Sequence, residues 1–76
     1  MKRLVLTGAA GRLGSHLREP LSKLCNELVS TDIAEDIGTL YPGERYVKAD
    51  LASYDQVHEA LDGAEMVVHF GAIGDE

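Results

Sequence analysis

Gly8-Ala9-Ala10-Gly11-Arg12-Leu13-Gly14 sets three glycines three residues apart, directly after one apolar run and directly before an amphipathic one. At such a junction each glycine has its own use. Gly8 permits a tight turn off a strand, Gly11 lets a diphosphate approach the backbone, and Gly14 lets a helix pack closely on a sheet. The free N–H groups around Arg12 and Leu13 then face an anion with the positive end of the helix dipole behind them. Asp32 comes 18 residues after Gly14, near the ~20-residue spacing at which a carboxylate accepts from both hydroxyls of an adenosine ribose. That carboxylate would repel a 2′-phosphate, so the pattern points to NAD in preference to NADP. The competing reading of Asp32 is a cap on the turn that follows its strand. Asp50-Leu51 stands at the end of a further strand, where a carboxylate can accept from the exocyclic amine of adenine while a neighbouring N–H meets a ring nitrogen. An Asx turn before Ser53 explains Asp50 equally well. Gly71, Ala72 and Ile73 follow the last strand and would form small walls beside a cofactor.

The remaining reactive side chains suggest less. His16, His58 and His69 share no metal-ligand spacing; the first two read as solvated helix residues and His69 as a hydrogen-bonded strand residue. Cys25 has no second cysteine to pair with and reads as small core filler near the end of a helix. Ser15 either touches a phosphate or simply occupies the first helical turn. The acidic pairs Glu35-Asp36 and Asp75-Glu76 read as solvated surface.

The elements needed to position these groups follow from periodicity. Residues 2–7 contain the solid apolar run Leu4-Val5-Leu6, expected of a strand buried on both faces. From Arg12, Leu13, Leu17, Leu21 and Leu24 form a helical stripe interrupted by Pro20, which should kink the helix near Glu19. A second strand is expected at Glu27–Asp32, then an irregular crossover over 33–45 with a Pro42-Gly43 turn, then a third strand over 46–49. Ser53 and Gln56 suggest a capping box for a helix whose apolar face is Tyr54, Val57 and Leu61, ended by Asp62-Gly63. Residues 66–70 give a fourth apolar strand. Strands alternating with helices imply an α/β fold: a Rossmann-type, doubly wound parallel sheet, here partial with about four strands in the order 3-2-1-4.

Composition sets the outer limits. The 76 residues are 45% hydrophobic and carry seven Lys or Arg against thirteen Asp or Glu, a net charge of −6. That excludes a disulfide scaffold and disorder, and a chain of this size forms at most one small domain. The charge opposes nucleic acid as a partner, and no stretch reaches the ~20 apolar residues needed to cross a bilayer. Cytoplasmic location is the expectation.

Taken together, the stretch from Val5 to Gly14, Asp32, Asp50-Leu51 and the stretch from Val68 to Ile73 resemble the extended short-chain dehydrogenase/reductase superfamily, the NAD-dependent epimerase/dehydratases. Within it the wording is most similar to that of the uronate dehydrogenases. The resemblance implies that Gly8, Gly11, Arg12, Leu13 and Gly14 hold a pyrophosphate, Asp32 and Ile33 the adenosine ribose, Asp50 and Leu51 the adenine, and Gly71, Ala72 and Ile73 the far side of NAD. It also implies catalysis by a Tyr with a Lys four residues later. Tyr41, Tyr46 and Tyr54 are instead followed at that distance by Arg45, Asp50 and His58, and Gly74 stands where the uronate pattern has a residue such as Ser. The expectation is therefore the N-terminal part of a single NAD-binding domain from an oxidoreductase acting on a sugar or sugar acid. The alternatives are a sugar-nucleotide epimerase or dehydratase, and a non-catalytic NAD-binding module. The fourth strand would lie at an apolar edge, compatible with a homo-oligomer.

Overall fold

Leu4, Val5 and Leu6 are sealed on both faces of their strand, none more than 1% exposed, as an unbroken apolar run requires. The computed structural model describes residues 2–50 and 52–70. The elements in order are β1 (Arg3–Thr7), α1 (Arg12–Ser22), β2 (Glu27–Asp32), β3 (Glu44–Lys48), α2 (Tyr54–Ala60) and β4 (Met66–His69). All the strand pairings are parallel, in the order β3-β2-β1-β4, so the expected 3-2-1-4 partial Rossmann-type sheet is what the chain forms. The register places Leu4 beside Leu28 and Met66, and Thr7 beside Thr31 and His69.

Alternation along the strands divides the core into two layers. Leu4, Leu6 and Leu28 form one, with Ala9, and Leu21, Cys25, Ile37 and Val68 pack against it. Val5 and Val29 point to the other face and are equally closed off. The step from β3 to β4 runs opposite to that from β1 to β2, so right-handed crossovers put α2 and α1 on opposite faces. Arg3 joins α2 to the sheet by donating from Nη1 to the Asp62 carbonyl at 2.8 Å.

Several local expectations are corrected. The sheet-facing side of α1 is Gly14, Leu17, Arg18 and Leu21, while Leu13 and Leu24 are each 63% exposed. Leu13 lies one residue off that face and Leu24 falls after the helix has ended, and the buried position between them is taken by a charge. As the stripe on both sides of Pro20 implies, the helix continues through it to Ser22, and Lys23 N–H and Leu24 N–H close its end on the Pro20 and Leu21 carbonyls. β3 begins at Glu44, not Tyr46, because Glu44 and Arg45 are neutralised by Arg18 and Glu27 and can sit in the ladder. Ser53 caps α2, but Gln56 bonds Asp50 N–H and not Ser53, so the capping box is half made. Tyr54 is exposed and lies against His58, leaving Val57 and Leu61 half-buried and Ala60 buried. The apolar edge is as expected: among the described residues β4 has a neighbour on only one side, and Met66 and Val67 are exposed. The Pro42-Gly43 turn forms as expected, with Gly43 at φ +82° and Glu44 N–H bonded to the Tyr41 carbonyl.

Candidate nucleotide site

β1 ends at Thr7 and the chain turns at Gly8, whose φ of +72° suits glycine. Ala9, fully buried, donates its N–H to the Thr31 carbonyl at 3.1 Å and pulls the turn over β2. Gly11 N–H closes the turn on the Gly8 carbonyl at 3.0 Å, and Ser15 N–H on Gly11 begins α1. A Cβ on Gly14 would lie 2.0 Å from the Gly8 oxygen, which no side chain can meet without moving backbone; on Gly11 the same distance is 3.3 Å.

Gly11 is the N-cap and has no side chain to bond the first helical amides, and no acid lies in the first turn. The N–H groups of Arg12 and Leu13 therefore stay available at the positive end of the helix. Both residues are exposed. Ser15 Oγ returns to the Arg12 carbonyl at 3.1 Å, the helix-turn option of its two readings.

Asp32 sits across from this turn at the end of β2. Its Oδ2 accepts from Ala10 N–H at 2.9 Å and its Oδ1 from Ile33 N–H at 2.7 Å. Each carboxylate oxygen has two lone pairs, so capping the turn leaves acceptor capacity on both oxygens of this half-buried group. Ile33 presents an exposed apolar side chain beside it. Asp50 Oδ1 accepts from Ala52 N–H at 2.9 Å, the Asx turn, while its own N–H is held by Gln56. Ala49 N–H bonds the Asp32 carbonyl and ties the ends of β3 and β2 together. On the other side, Thr7 Oγ1 lies 2.7 Å from His69 Nδ1 and accepts from Phe70 N–H, so His69 is the hydrogen-bonded strand residue expected. Leu51, Gly71, Ala72 and Ile73 lie outside the described residues.

Two side-chain arrangements escape sequence reasoning, one at the far end of the sheet from the glycine turn and one next to Asp32. The first is Arg18, which makes a two-pronged pair with Glu44 at 2.7 and 2.9 Å and also donates to the Ile37 and Thr39 carbonyls. Glu44 further accepts from Ser30 Oγ and Tyr41 N–H. Burial pushes the Glu44 carboxyl up, but the bonds from Arg18, Ser30 and Tyr41 outweigh it and hold the group below the usual carboxylate range. The second is Tyr46, whose hydroxyl sits between the carbonyls of Asp32 and Ala34. Burial pushes the phenol above the usual tyrosine range, helped by Asp32, Glu35 and Asp36, so it resists ionisation. A charge four residues after a helix-packing glycine was the available signal for Arg18; nothing in spacing marks Tyr46. Glu35 is also paired, with Lys48.

The site thus offers an anion-binding helix start and, joined to it, a carboxylate able to accept from a diol, the two ends of a nucleoside diphosphate. Among the described residues, no three His, Cys, Asp or Glu are grouped to hold a metal, and no helix is long and apolar enough to cross a membrane.

Residues 4–76 match the model of the NAD dependent epimerase/dehydratase family. A uronate dehydrogenase of Pseudomonas syringae pv. tomato is 42% identical over 74 residues, covering 97% of this chain and 27% of the relative. The crystal structure of a mutant uronate dehydrogenase from Agrobacterium tumefaciens complexed with NAD superposes with a TM-score of 0.89 at 38% identity, over all of this chain and 28% of that one. A glucuronic acid dehydrogenase from Chromohalobacter salexigens gives 0.87 at 36% identity, over 99% and 28%. The chain spans little more than a quarter of the length of these proteins.

Proposed function

We propose that this chain binds NAD, starting from the premise that it belongs to the NAD-dependent epimerase/dehydratase family. The observation that carries the reading is the junction of the uncapped α1 start with Asp32 through Ala10. The first helical amides at Arg12 and Leu13 receive the pyrophosphate, with Gly11 keeping a side chain out of its way while Gly8 makes the turn and Gly14 lets α1 pack against it. The spare lone pairs of Asp32 accept from the ribose diol, with Ile33 beside it, and the negative charge disfavours a 2′-phosphate. Asp50 and Leu51 flank the adenine, and Gly71, Ala72 and Ile73 the far side. NAD, when bound, supplies a hydride acceptor.

Residues 1–76 are, in this reading, the N-terminal part of a single nucleotide-binding domain whose catalytic pair lies outside them. The reaction is oxidation of a sugar or sugar acid, as the names of the uronate and glucuronic acid dehydrogenases indicate for those proteins. The protein works in the cytoplasm, self-associates through apolar surface and, with its net charge of −6, does not bind nucleic acid.

Calorimetric titration tests the nucleotide reading. The wild type is expected to bind NAD and to reject NADP, and Asp32→Ala to weaken NAD by at least about tenfold, the loss of charge-assisted bonds to the diol. A folded wild type that gives no heat with NAD overturns it.

A further inference from the structure

Among the described residues, Tyr46 is the one side chain that reaches the backbone on both sides of Ile33. Its hydroxyl lies 3.0 Å from the Asp32 carbonyl and closer to that of Ala34. A phenol has one proton to give. The Asp32 carbonyl already accepts from Ala49 N–H at 2.9 Å, so the bond the hydroxyl alone provides is the one to Ala34. That bond fixes the turn in which Ile33 N–H meets Asp32 Oδ1, and the same carboxylate holds Ala10 in the glycine turn. Ring and hydroxyl come from β3, two strands from the glycines, where Tyr46 stands beside Ser30 in the ladder.

We propose that Tyr46 is a positioning residue for the adenosine half of the site: its hydroxyl locks the 32–34 turn and thereby aims the Asp32 carboxylate. This rests on the ribose role given to Asp32 above. Burial, with the acids Asp32, Glu35 and Asp36 around it, keeps the phenol protonated and able to donate. A loose turn would let the carboxylate rotate away from both Ala10 and the diol, while the sheet beneath stayed intact.

Tyr46→Phe in the full chain keeps the ring and removes the donor. Amide hydrogen exchange without ligand should quicken at Ile33 and Ala10 and stay unchanged at Val5 and Val29. Affinities for AMP and for NAD should fall together by about fivefold, the size of one ordinary hydrogen bond, while that for nicotinamide mononucleotide stays the same. Unchanged exchange at Ile33 and Ala10 overturns the proposal. Faster exchange throughout the sheet also overturns it, since that is the mark of a merely structural role. Local loosening with undiminished AMP affinity breaks the link to adenosine. If wild type binds neither AMP nor NAD, the nucleotide reading fails instead, and exchange at Ile33 and Ala10 still decides whether Tyr46 aims Asp32.

Discussion

Ala10 N–H donates to Asp32 Oδ2 across 2.9 Å, joining the glycine turn after β1 to the last residue of β2. Two motifs separated by 22 positions are therefore one unit, in which a single carboxylate shapes the glycine turn and, in the proposed site, also faces the ribose. These duties separate in Asp32→Asn. The amide keeps one oxygen, which can accept from Ala10 while the bond from Ile33 N–H is given up, so exchange protection should persist at Ala10 and fall at Ile33. The lost charge removes the repulsion of a 2′-phosphate, and the preference for NAD over NADP should shrink by about tenfold or more in competition titrations. Loss of Ala10 protection in this variant would show that the turn needs the charge.

The Arg18–Glu44 pair should dominate stability. Both groups are buried, Glu44 with no exposed side-chain surface, and removing one partner of such a pair costs about 3–5 kcal/mol because the other is left uncompensated. Arg18→Met is expected to lower stability by that order in urea denaturation. The double variant Arg18→Met with Glu44→Leu should recover little, although many buried pairs tolerate such exchange. Here it would strand the Ile37 and Thr39 carbonyls, the Ser30 hydroxyl and the Tyr41 N–H, all of which bond to the pair.

Acid should destabilise the fold through Glu44. Its folded carboxyl lies below the usual range, so as pH falls the unfolded chain takes up the proton first. The stabilisation is complete above the ordinary glutamate value of about 4.3 and is lost as pH falls through the lower folded value. Glu27 is shifted the same way by hydrogen bonds from Arg3 and Arg45, but this pairing is part-exposed and should weaken in salt. Urea midpoints measured from pH 7 to 3 should fall on the acid side, with the Glu44 share surviving high salt. In Glu44→Gln the slope should flatten; an unaltered slope would assign the acid sensitivity elsewhere.

How far the molecule was legible depended on what each residue's neighbours add. The strand order and the glycine turn could be read because apolar runs, positive-φ glycines and a strand-end acid act through local backbone geometry. Leu13 and Tyr54 were misplaced because helical spacing gives a stripe but not its phase against the sheet, and at the phase adopted the buried place went to Arg18. Glu44 looked like loop because its cost of burial is offset by Arg18, 26 residues away, which no window of sequence contains. Tyr46 was read as a strand residue with no Lys four residues on; its hydroxyl acquires a function when β3 lies beside β2.

Gly11 and Gly14 should respond differently to the same added methyl. At Gly14 the new Cβ would sit 2.0 Å from the Gly8 oxygen and 2.8 Å from its carbon, so α1 must be pushed off the turn. Gly14→Ala should then cost about 3 kcal/mol, the upper end of what overpacking does. At Gly11 the nearest atom is 3.3 Å away and φ is an ordinary −76°, so Gly11→Ala should change stability by less than about 1 kcal/mol. Its methyl nevertheless stands at the helix start, where a diphosphate must approach the backbone, and NAD affinity should fall at least about tenfold. Thermal melts and NAD titrations on the two variants separate fold from site: equal destabilisation would mean that both glycines serve packing alone.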